Sequence, residues 1–415
     1  MGLVQSPLCC HSKDEEPPSH TNSNHHLHSE SSTSSISSQP SLPSVPSLTT
    51  PHPHPNPSLQ PQLLTTLTAS SPISSLTLHA KFLYAASSNS HIHAWPRHHP
   101  PPQNDTVVLA TSHAPVKSML ISGQNLFTAH QDHRIRIWKI QFQPDDPTPY
   151  PKLKPLTSLP TLPDRISKLF SATNYVEIRR HKKSTWVHHV DAVSALALSR
   201  DHTLLYSASW DRTFKIWRTS DFKCLKSIRA HEDAINALVV SGDGVVYTGS
   251  ADRKIKAWKN NGSLVGTLEK HKSAVNALAL SPDGSVLYSG ACDRSVLVWE
   301  KMGVVGALRG HTKAILCLVA MEDLVCSGSA DGSVRIWRRF GSGDDQNKYS
   351  CVGVLEGHRK PVKCLAMAVQ SSNDDDHNGG GSDDMNTSYL VYSGGLDSEI
   401  KFSQESVMQA DVPFD

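Results

Sequence analysis

The sequence lacks the features that place a protein in a membrane or in an oxidising compartment. Its eight cysteines form no C-x-x-C pair, and only Cys9 and Cys10 are adjacent. We therefore expect reduced thiols and a location in the cytoplasm or nucleus. No apolar run reaches the length of a membrane span. The N-terminus has no apolar signal core, and residues 1–60 contain no Arg, which disfavours secretory and transit peptides.

Charge is scarce as well. Only 19% of the residues are charged and the net charge is +2, so bulk electrostatics favour neither nucleic acid nor a membrane surface as partner. Residues 1–61 are rich in Ser, Pro and His and cannot bury a core, which predicts a disordered tail. From residue 62 to 408, short β-branched and aromatic runs alternate with turn residues, and 409–415 form a short C-terminal tail.

What the sequence does contain is repetition. "SASWDRTFKIW" (207–217) recurs as "TGSADRKIKAW", "SGACDRSVLVW" and "SGSADGSVRIW", and three weaker copies end at Trp95, Trp138 and Ser403. The spacing fits a unit of roughly 40 residues. Two longer gaps indicate an insertion within 140–188 and an acidic one at 371–388. Each unit reads as four short strands joined by turns.

These units resemble WD repeats, so the resemblance implies an all-β, seven-bladed WD-repeat β-propeller over residues 62–408. One four-stranded blade cannot bury both of its faces, whereas packing against its neighbours in a ring can. The last unit has three strands before the sequence ends. In this family an N-terminal strand commonly completes the last blade, and "QLLTTLTAS" (62–70) suits that role.

Serine, histidine and aspartate, the members of a hydrolytic triad, recur in these units. A catalytic site would not be copied around a ring with Ser and Thr interchanged. The family resemblance implies instead a structural chain from Asp to His to Ser/Thr to Trp, in which buried polar groups satisfy one another. The predicted sets are His113, Thr128, Asp132, Trp138; His189, Ser207, Asp211, Trp217; His231, Thr248, Asp252, Trp258; His271, Ser289, Asp293, Trp299; His311, Ser327, Asp331, Trp337; and His358, Ser393, Asp397.

The first and last units depart from this pattern. Unit one has Ala69, Ala85 and Asn89 where the other units have His, Ser and Asp, and the last unit has Ser403 where Trp is expected. These two blades would meet at the ring closure, so we expect the seam to be the weakest part of the fold.

Residues peculiar to one copy are the better candidates for binding. Trp210 precedes Asp211, and no other unit has an aromatic residue there. An exposed indole at this turn would be an interface anchor. Arg212, Arg253 and Arg294 follow the repeat Asp in three consecutive units and could form a basic arc for an acidic or phosphorylated segment. The alternative is that the arginines are ordinary turn residues and that Trp210 packs on a neighbouring loop.

The insertion after the second unit carries two further signals. In "LPDRISKLF", residues Leu162, Ile166, Leu169 and Phe170 fall on one helical face, which predicts a helix docked on the propeller or on a partner. "RRHKK" (179–183) is a nuclear-import signal or phosphate-contacting patch in one interpretation and a solvated loop in the other.

Two weaker motifs lie in the N-terminal tail and in the acidic insertion. "MGLVQS" fits an acylation pattern at Gly2, with Cys9 and Cys10 as possible second lipid sites, although Pro7 disfavours it. "DDDHNGGGSDDM" begins like a calcium loop but has Met385 at the twelfth position, so we interpret it as a solvated insertion. We expect no metal, no cofactor and no obligate homo-oligomer, with membrane association only if the N-terminus is acylated.

The Ser/Pro-rich tail, the seven units and the insertion "LPDRISKLF…NYVEIRRHKK" together resemble the plant JINGUBANG-like group. This resemblance implies a non-enzymatic scaffold or adaptor that acts through protein contacts. Two alternatives stay open: a nuclear regulator that uses the basic insertion on nucleic acid, and a hydrolase that uses one His/Asp/Ser set.

Overall fold

A computed structural model describes residues 45–49, 62–97, 107–142, 150–169, 175–179, 182–185, 187–340, 348–370 and 387–407. The described chain forms seven antiparallel four-stranded sheets and one two-stranded hairpin. Each four-stranded sheet is one blade. In blades one to six the four strands follow one another in chain order, as the 40-residue unit predicts.

From first to fourth strand, blade one comprises β2 (Ile73–His79), β3 (Phe82–Ser87), β4 (His91–Pro96) and β5 (Val107–Thr111), and blade two comprises β6 (Val116–Ser122), β7 (Asn125–His130), β8 (Ile135–Gln141) and β9 (Lys152–Leu159). Blade three comprises β12 (Val193–Leu198), β13 (Leu204–Ser209), β14 (Thr213–Arg218) and β15 (Cys224–Arg229). Blade four comprises β16 (Ile235–Val240), β17 (Val246–Ser250), β18 (Ile255–Trp258) and β19 (Leu264–Leu268).

Blades five to seven comprise β20 (Val275–Leu280), β21 (Val286–Ala291), β22 (Val296–Glu300) and β23 (Gly303–Leu308); β24 (Ile315–Met321), β25 (Leu324–Ser329), β26 (Val334–Phe340) and β27 (Lys348–Leu355); and β28 (Val362–Gln370), β29 (Thr387–Gly395), β30 (Glu399–Val407) and β1 (Gln62–Thr68). The predicted closure is thus present, because β1 pairs antiparallel with β30 and completes blade seven.

The seven first strands contact one another in a closed cycle, from β2 through β6, β12, β16, β20, β24 and β28 back to β2. They line the axis of the ring, and the fourth strands form its rim. Each of the seven hydrophobic clusters draws on two neighbouring blades. Trp217 of blade three, for example, packs with Phe127 and Ile137 of blade two. The blades therefore share their cores, which is why a single blade would not be stable.

The insertion after blade two is shorter than its sequence suggests, because Lys152–Leu159 forms the fourth strand of that blade. The predicted helix is present as α1 (Leu162–Leu169), followed by a hairpin of β10 (Tyr175–Arg179) and β11 (Lys182–Thr185). Leu162 and Ile166 of the predicted apolar face are exposed, so these two residues do not dock on the propeller. Docking of this face on a partner stays a prediction. The buried Asp164 anchors the helix instead, its carboxylate accepting a hydrogen bond from the Cys224 amide at 2.9 Å.

The tail prediction also needs a correction. Residues 45–49 belong to the stretch 1–61 that composition predicts to be disordered, yet they lie against the rim of blades five and six through backbone hydrogen bonds. The low apolar content of the tail as a whole concealed one short segment, Val45–Thr49, that carries two apolar side chains. No helix among the described residues is long and apolar enough to cross a membrane.

Candidate functional site

One face of the ring carries the turns between the second and third strands of every blade. We call it the upper face, and its turns are 88–90, 131–133, 210–212, 251–253, 292–294, 330–332 and 396–398. In each blade the first residue of the first strand pairs with the last residue of the second strand, as Val193 does with Ser209. The loops that lead into the blades therefore lie on this face too.

The structure brings the predicted residues together in blades three to six. Each histidine Nδ1 lies 2.9 Å from an aspartate oxygen, each Nε2 lies 2.7–2.9 Å from a Ser or Thr hydroxyl, and each indole Nε1 lies 2.7–3.0 Å from the same hydroxyl. When the imidazole is neutral, every polar group of the set has a hydrogen-bond partner, and all the donors point the same way along the hydrogen-bonded chain, from the tryptophan to the aspartate. The indole N–H donates to the hydroxyl, the hydroxyl donates to Nε2, and Nδ1–H donates to the carboxylate.

The electrostatics of blade three fit this arrangement. Burial lowers the pKa of His189, although the neighbouring Asp211 carboxylate opposes the shift. Burial alone would raise the pKa of Asp211, but His189, Thr213 and Lys215 outweigh it and hold that pKa well below its usual range. Because the pKa of His189 and the pKa of Asp211 are both lowered, the imidazole is neutral and the carboxylate beside it is ionised.

Each aspartate also fastens the upper face to the blade. The Asp211 carboxylate accepts hydrogen bonds from the amides of Val190 and Thr213, both at 2.9 Å. The first amide belongs to the loop leading into the blade and the second to the start of the third strand. One carboxylate thus fixes both loops that any partner on this face would touch, which gives the set a structural role in positioning that surface.

Blade two does not use the predicted histidine. His113 is exposed, and the prediction for it is wrong. The hydroxyl of Thr128 instead meets Nε2 of His130 at 2.7 Å, and Trp138 Nε1 donates to the same hydroxyl at 2.9 Å. Nδ1 of His130 bonds to the Ala114 carbonyl rather than to a carboxylate. Burial lowers the pKa of His130 to about 4.

Asp132 has a different partner in that blade. It forms a two-pronged ion pair with Arg136, four residues later, which links the turn to β8. The signal for His130 was in the sequence: it follows Thr128 by two positions, so both side chains point to the same side of β7. Blade one makes a similar replacement, because the buried His93 stacks on Trp95 with a centroid separation of 5.4 Å.

Blade seven keeps three members of the set. His358 Nδ1 lies 2.9 Å from Asp397 and its Nε2 lies 2.9 Å from Ser393. Ser403 pairs with Val391 at the register position where Trp217 pairs with Leu205 in blade three. The missing indole leaves a cavity of about 90 Å³ whose lining includes His358, Ser393 and Ser403.

Among the described residues, His358, Asp397 and Glu399 form the one grouping whose ligand atoms lie close enough to share a metal ion, within 4.8 Å of one another. Two of the three are already bonded to each other, and Glu399 pairs with Lys401 at 3.0 Å. The grouping is therefore fully explained by the blade's own hydrogen bonds.

The candidate binding residues lie on the upper face, with one correction. Trp210 is half-buried rather than exposed, and Lys117 Nζ of blade two lies 5.2 Å from its ring centroid. Arg212, Arg253 and Arg294 are exposed, and none of their guanidinium groups makes a hydrogen bond or ion pair within the described part of the chain.

These three arginines occupy a backbone position that disfavours them. The residue after the repeat Asp has a left-handed conformation around the ring, with φ of 70°, 72° and 69° at Arg212, Arg253 and Arg294. Such a conformation costs a non-glycine residue roughly 1–2 kcal/mol. Blade six has Gly332 at this point, where an added Cβ would meet the His358 carbonyl oxygen at 2.6 Å.

Gly2, Cys9 and Cys10 lie outside the described residues, as do residues 371–386 of the acidic insertion predicted at 371–388. The run 179–183 spans the β10–β11 hairpin, whose backbone is described at Arg179, Lys182 and Lys183.

Comparison with known proteins decides the family. The WD domain, G-beta repeat model of the WD40 family matches residues 180–218, 222–259, 262–300, 303–338 and 349–402, which are blades three to seven. The chain belongs to the WD40-repeat family of β-propellers. Blades one and two, where the histidine comes from the strands themselves, are the ones that the model does not match.

Individual relatives support the same assignment. The chain is 35% identical over 85 residues to the small ribosomal subunit protein RACK1 of Drosophila melanogaster, and 28% identical over 192 residues to human Striatin-3. These matches cover 20% and 43% of this chain but only 27% and 20% of the relatives' own lengths. The WD40 propeller domain of Doa1 superimposes with a TM-score of 0.60 at 18% identity, covering 83% of this chain and 96% of that one, which shows the fold. Family membership supports a protein-interaction role.

Proposed function

We propose that this WD40 propeller is a non-enzymatic scaffold that binds an acidic or phosphorylated segment of a partner on its upper face. The observation that carries the proposal is the set of three exposed arginines in consecutive blades, each held in a left-handed turn and none paired within the described chain. Guanidinium groups recognise carboxylate and phosphate well, because they donate in a planar fork.

A second cationic group supports the same partner chemistry. Lys117 and Lys363 are the second residues of β6 and β28, the two first strands that flank blade one. Burial and the nearby Lys363 charge lower the pKa of Lys117. Neither ammonium group forms an ion pair among the described residues. An anionic side chain entering the ring here would meet two lysines and the indole of Trp210.

A hydrolase is the less favoured alternative. Ser207, Thr248, Ser289 and Ser327 are fully buried, so no substrate can reach them. Ser393 of blade seven borders a cavity of about 90 Å³, well below the roughly 300–1,000 Å³ of typical ligand pockets. Labelling of Ser393 by a fluorophosphonate probe would revive this alternative, and we expect none.

The finer setting is also a proposal. The tail composition and the insertion "LPDRISKLF…NYVEIRRHKK" support membership of the plant JINGUBANG-like group, and the cysteine usage supports the cytoplasm or nucleus. A nucleic-acid role for the basic hairpin would need binding that weakens steeply with salt. Lipid attachment at Gly2 would need membrane association that is lost in Gly2→Ala.

The binding face is tested by affinity purification with mass spectrometry. We compare wild type with Arg212→Gly/Arg253→Gly/Arg294→Gly, which removes three charges and suits the left-handed turns. Lys301→Gly is the matched control, because Lys301 is also exposed and left-handed (φ 46°) but lies in the loop after the third strand, on the opposite face. We expect the partners to be depleted only from the triple variant. Full recovery by the triple variant would reject the proposed face.

A further inference from the structure

The rim between blades five and six holds a short extended segment from the N-terminal region. Residues Val45–Thr49 run parallel to β23 on one side and to β27 on the other. The Leu48 amide donates to the Ala307 carbonyl at 3.0 Å, and the Ala307 amide donates to the Pro46 carbonyl at 2.9 Å. The Tyr349 amide donates to the Leu48 carbonyl at 3.3 Å. One extended segment therefore satisfies edge groups of two neighbouring sheets.

Side chains fix the segment as well as its backbone does. Leu48 packs on the cluster of blades five and six that contains Tyr288 and Tyr349, whose hydroxyls are 3.0 Å apart. Val45 packs on the next cluster, between blades four and five. The Arg309 guanidinium donates to the Val45 carbonyl at 3.1 Å. The two apolar slots hold Val45 and Leu48, three residues apart, and Arg309 holds the backbone at Val45. The segment therefore has the pattern apolar residue, proline, any residue, leucine.

The slot for Leu48 depends on one glycine. A Cβ added to Gly306 would collide with the Leu48 side chain. The matching position on blade four is Gly266, where an added Cβ would meet only the terminal methyl of Met302, at 2.9 Å. The space beside Gly266 of blade four is thus filled by Met302 of blade five. The equivalent space beside Gly306 of blade five is filled by Leu48, which comes from a distant part of the chain.

We propose that this groove is a binding site for an extended peptide of the form apolar-Pro-x-Leu, that Val45–Thr49 occupies it in cis, and that a partner segment of the same form can take its place. Edge strands recognise peptides by adding one strand, with backbone hydrogen bonds supplying affinity and side-chain slots supplying specificity. Pro46 fits such a strand because its position donates no hydrogen bond to either blade. The site lies on the rim, so it is independent of the upper face.

The test uses the full chain and a fluorescein-labelled synthetic peptide covering residues 43–51. Val45→Asp/Leu48→Asp puts two charges where the apolar slots require none, and so opens the groove. The tethered segment has an effective concentration on the order of millimolar. We therefore expect the peptide to bind the opened chain at least about tenfold more tightly than wild type. Equal binding to the two chains would overturn the proposal.

Two matched glycine variants of the opened chain locate the peptide. Gly306→Val should abolish peptide binding, whereas Gly266→Val should leave it unchanged, because the flexible Met302 can move aside. Binding that survives Gly306→Val, or that is lost equally in both variants, would place the peptide elsewhere.

Hydrogen exchange gives an answer that does not depend on the glycine variants folding. The Ala307 and Tyr349 amides should be protected in wild type, exchange faster in the opened chain, and regain protection when the peptide is added. Exchange of the Ala307 amide that is the same in wild type and opened chain would show that the segment does not hold the groove, and would contradict the proposal.

Discussion

Blades three and seven contain the same repeated polar set, except that blade seven lacks its tryptophan. Both hold a histidine between a carboxylate and a hydroxyl at 2.8–2.9 Å. In blade three the chain continues to Trp217, which is buried to 1% exposure within the core shared with blade two. In blade seven Ser403 takes that place and a cavity follows. The polar set can therefore form without its indole, and the indole contributes packing at the boundary between blades.

The largest effect should come from making blade three resemble blade seven. Trp217→Ser removes a buried indole and the hydrogen bond that it donates to Ser207. Truncation of a buried Trp costs about 3–5 kcal/mol, so we expect a loss of about 4 kcal/mol in unfolding free energy. Urea denaturation followed by circular dichroism measures it. A loss below about 1 kcal/mol would show that the indole is dispensable in blade three as well.

Acid should weaken the blades whose histidines lack a carboxylate partner. Burial lowers the pKa of His93 and His130 to about 4, against 6.5 for the unfolded group. Stability is then full above pH 6.5 and falls as the pH drops towards 4, because the unfolded chain takes up protons first. Each histidine contributes a slope of about 1.4 kcal/mol per pH unit.

The matched variant for this prediction is His93→Phe, which keeps a ring against Trp95 without a titrating group. It should remove about half of the slope contributed by the pair when unfolding free energy is measured at several pH values. The paired aspartates, whose pKa values are lowered from 3.8, lose their contribution only below that pH. An unchanged slope in His93→Phe would mean that the pKa of His93 is the same in the folded and the unfolded chain.

The reciprocal change in blade seven should stabilise the ring closure. Ser403→Trp restores the missing member of the set and fills a cavity of about 90 Å³. At about 24 cal/mol per Å³ the gain is about 2 kcal/mol. Thermal unfolding monitored by calorimetry should show a higher midpoint than that of wild type. A lower midpoint would show that the seam is already packed to its limit.

The smallest effect on stability is expected at Arg253, one of the three candidate binding arginines. Arg253→Gly relieves roughly 1–2 kcal/mol of left-handed strain at φ 72° and loses roughly 0.5–1 kcal/mol to the greater entropy of glycine in the unfolded chain. The unfolding free energy should therefore rise by about 1 kcal/mol or less. The gain is measured by the same urea denaturation. A clear loss would mean that the Arg253 side chain supports the turn.

The ring of seven units could be predicted from spacing, because a repeat that recurs about every 40 residues has to place its apolar strands in equivalent blades. The closing strand is implied by the resemblance to WD repeats. The sets of blades three to six follow from the same alignment. The prediction for His113 was wrong because it rested on the alignment of the repeats, in which His113 occupies the histidine position. The histidine that contacts the Thr128 hydroxyl is His130, two positions later on the same strand.

Other features depend on long-range packing that no local pattern encodes. The docking of Val45–Thr49 requires the slot above Gly306, which lies in a distant part of the chain. Trp210 is half-buried, and Lys117 of another blade reaches its ring. The anchoring of α1 by Asp164 rather than by its apolar residues depends on one backbone amide of blade three.

The repeated polar sets hold the blades, and we propose that the arginines of three consecutive blades bind the partner. The most direct test measures partner recovery by Ser207→Ala and by the triple arginine-to-glycine variant side by side, well below both unfolding midpoints. We expect Ser207→Ala, although less stable, to recover partners as wild type does, and the triple variant to lose them. Loss of partners from a folded Ser207→Ala protein, with full recovery by the triple variant, would contradict the proposal.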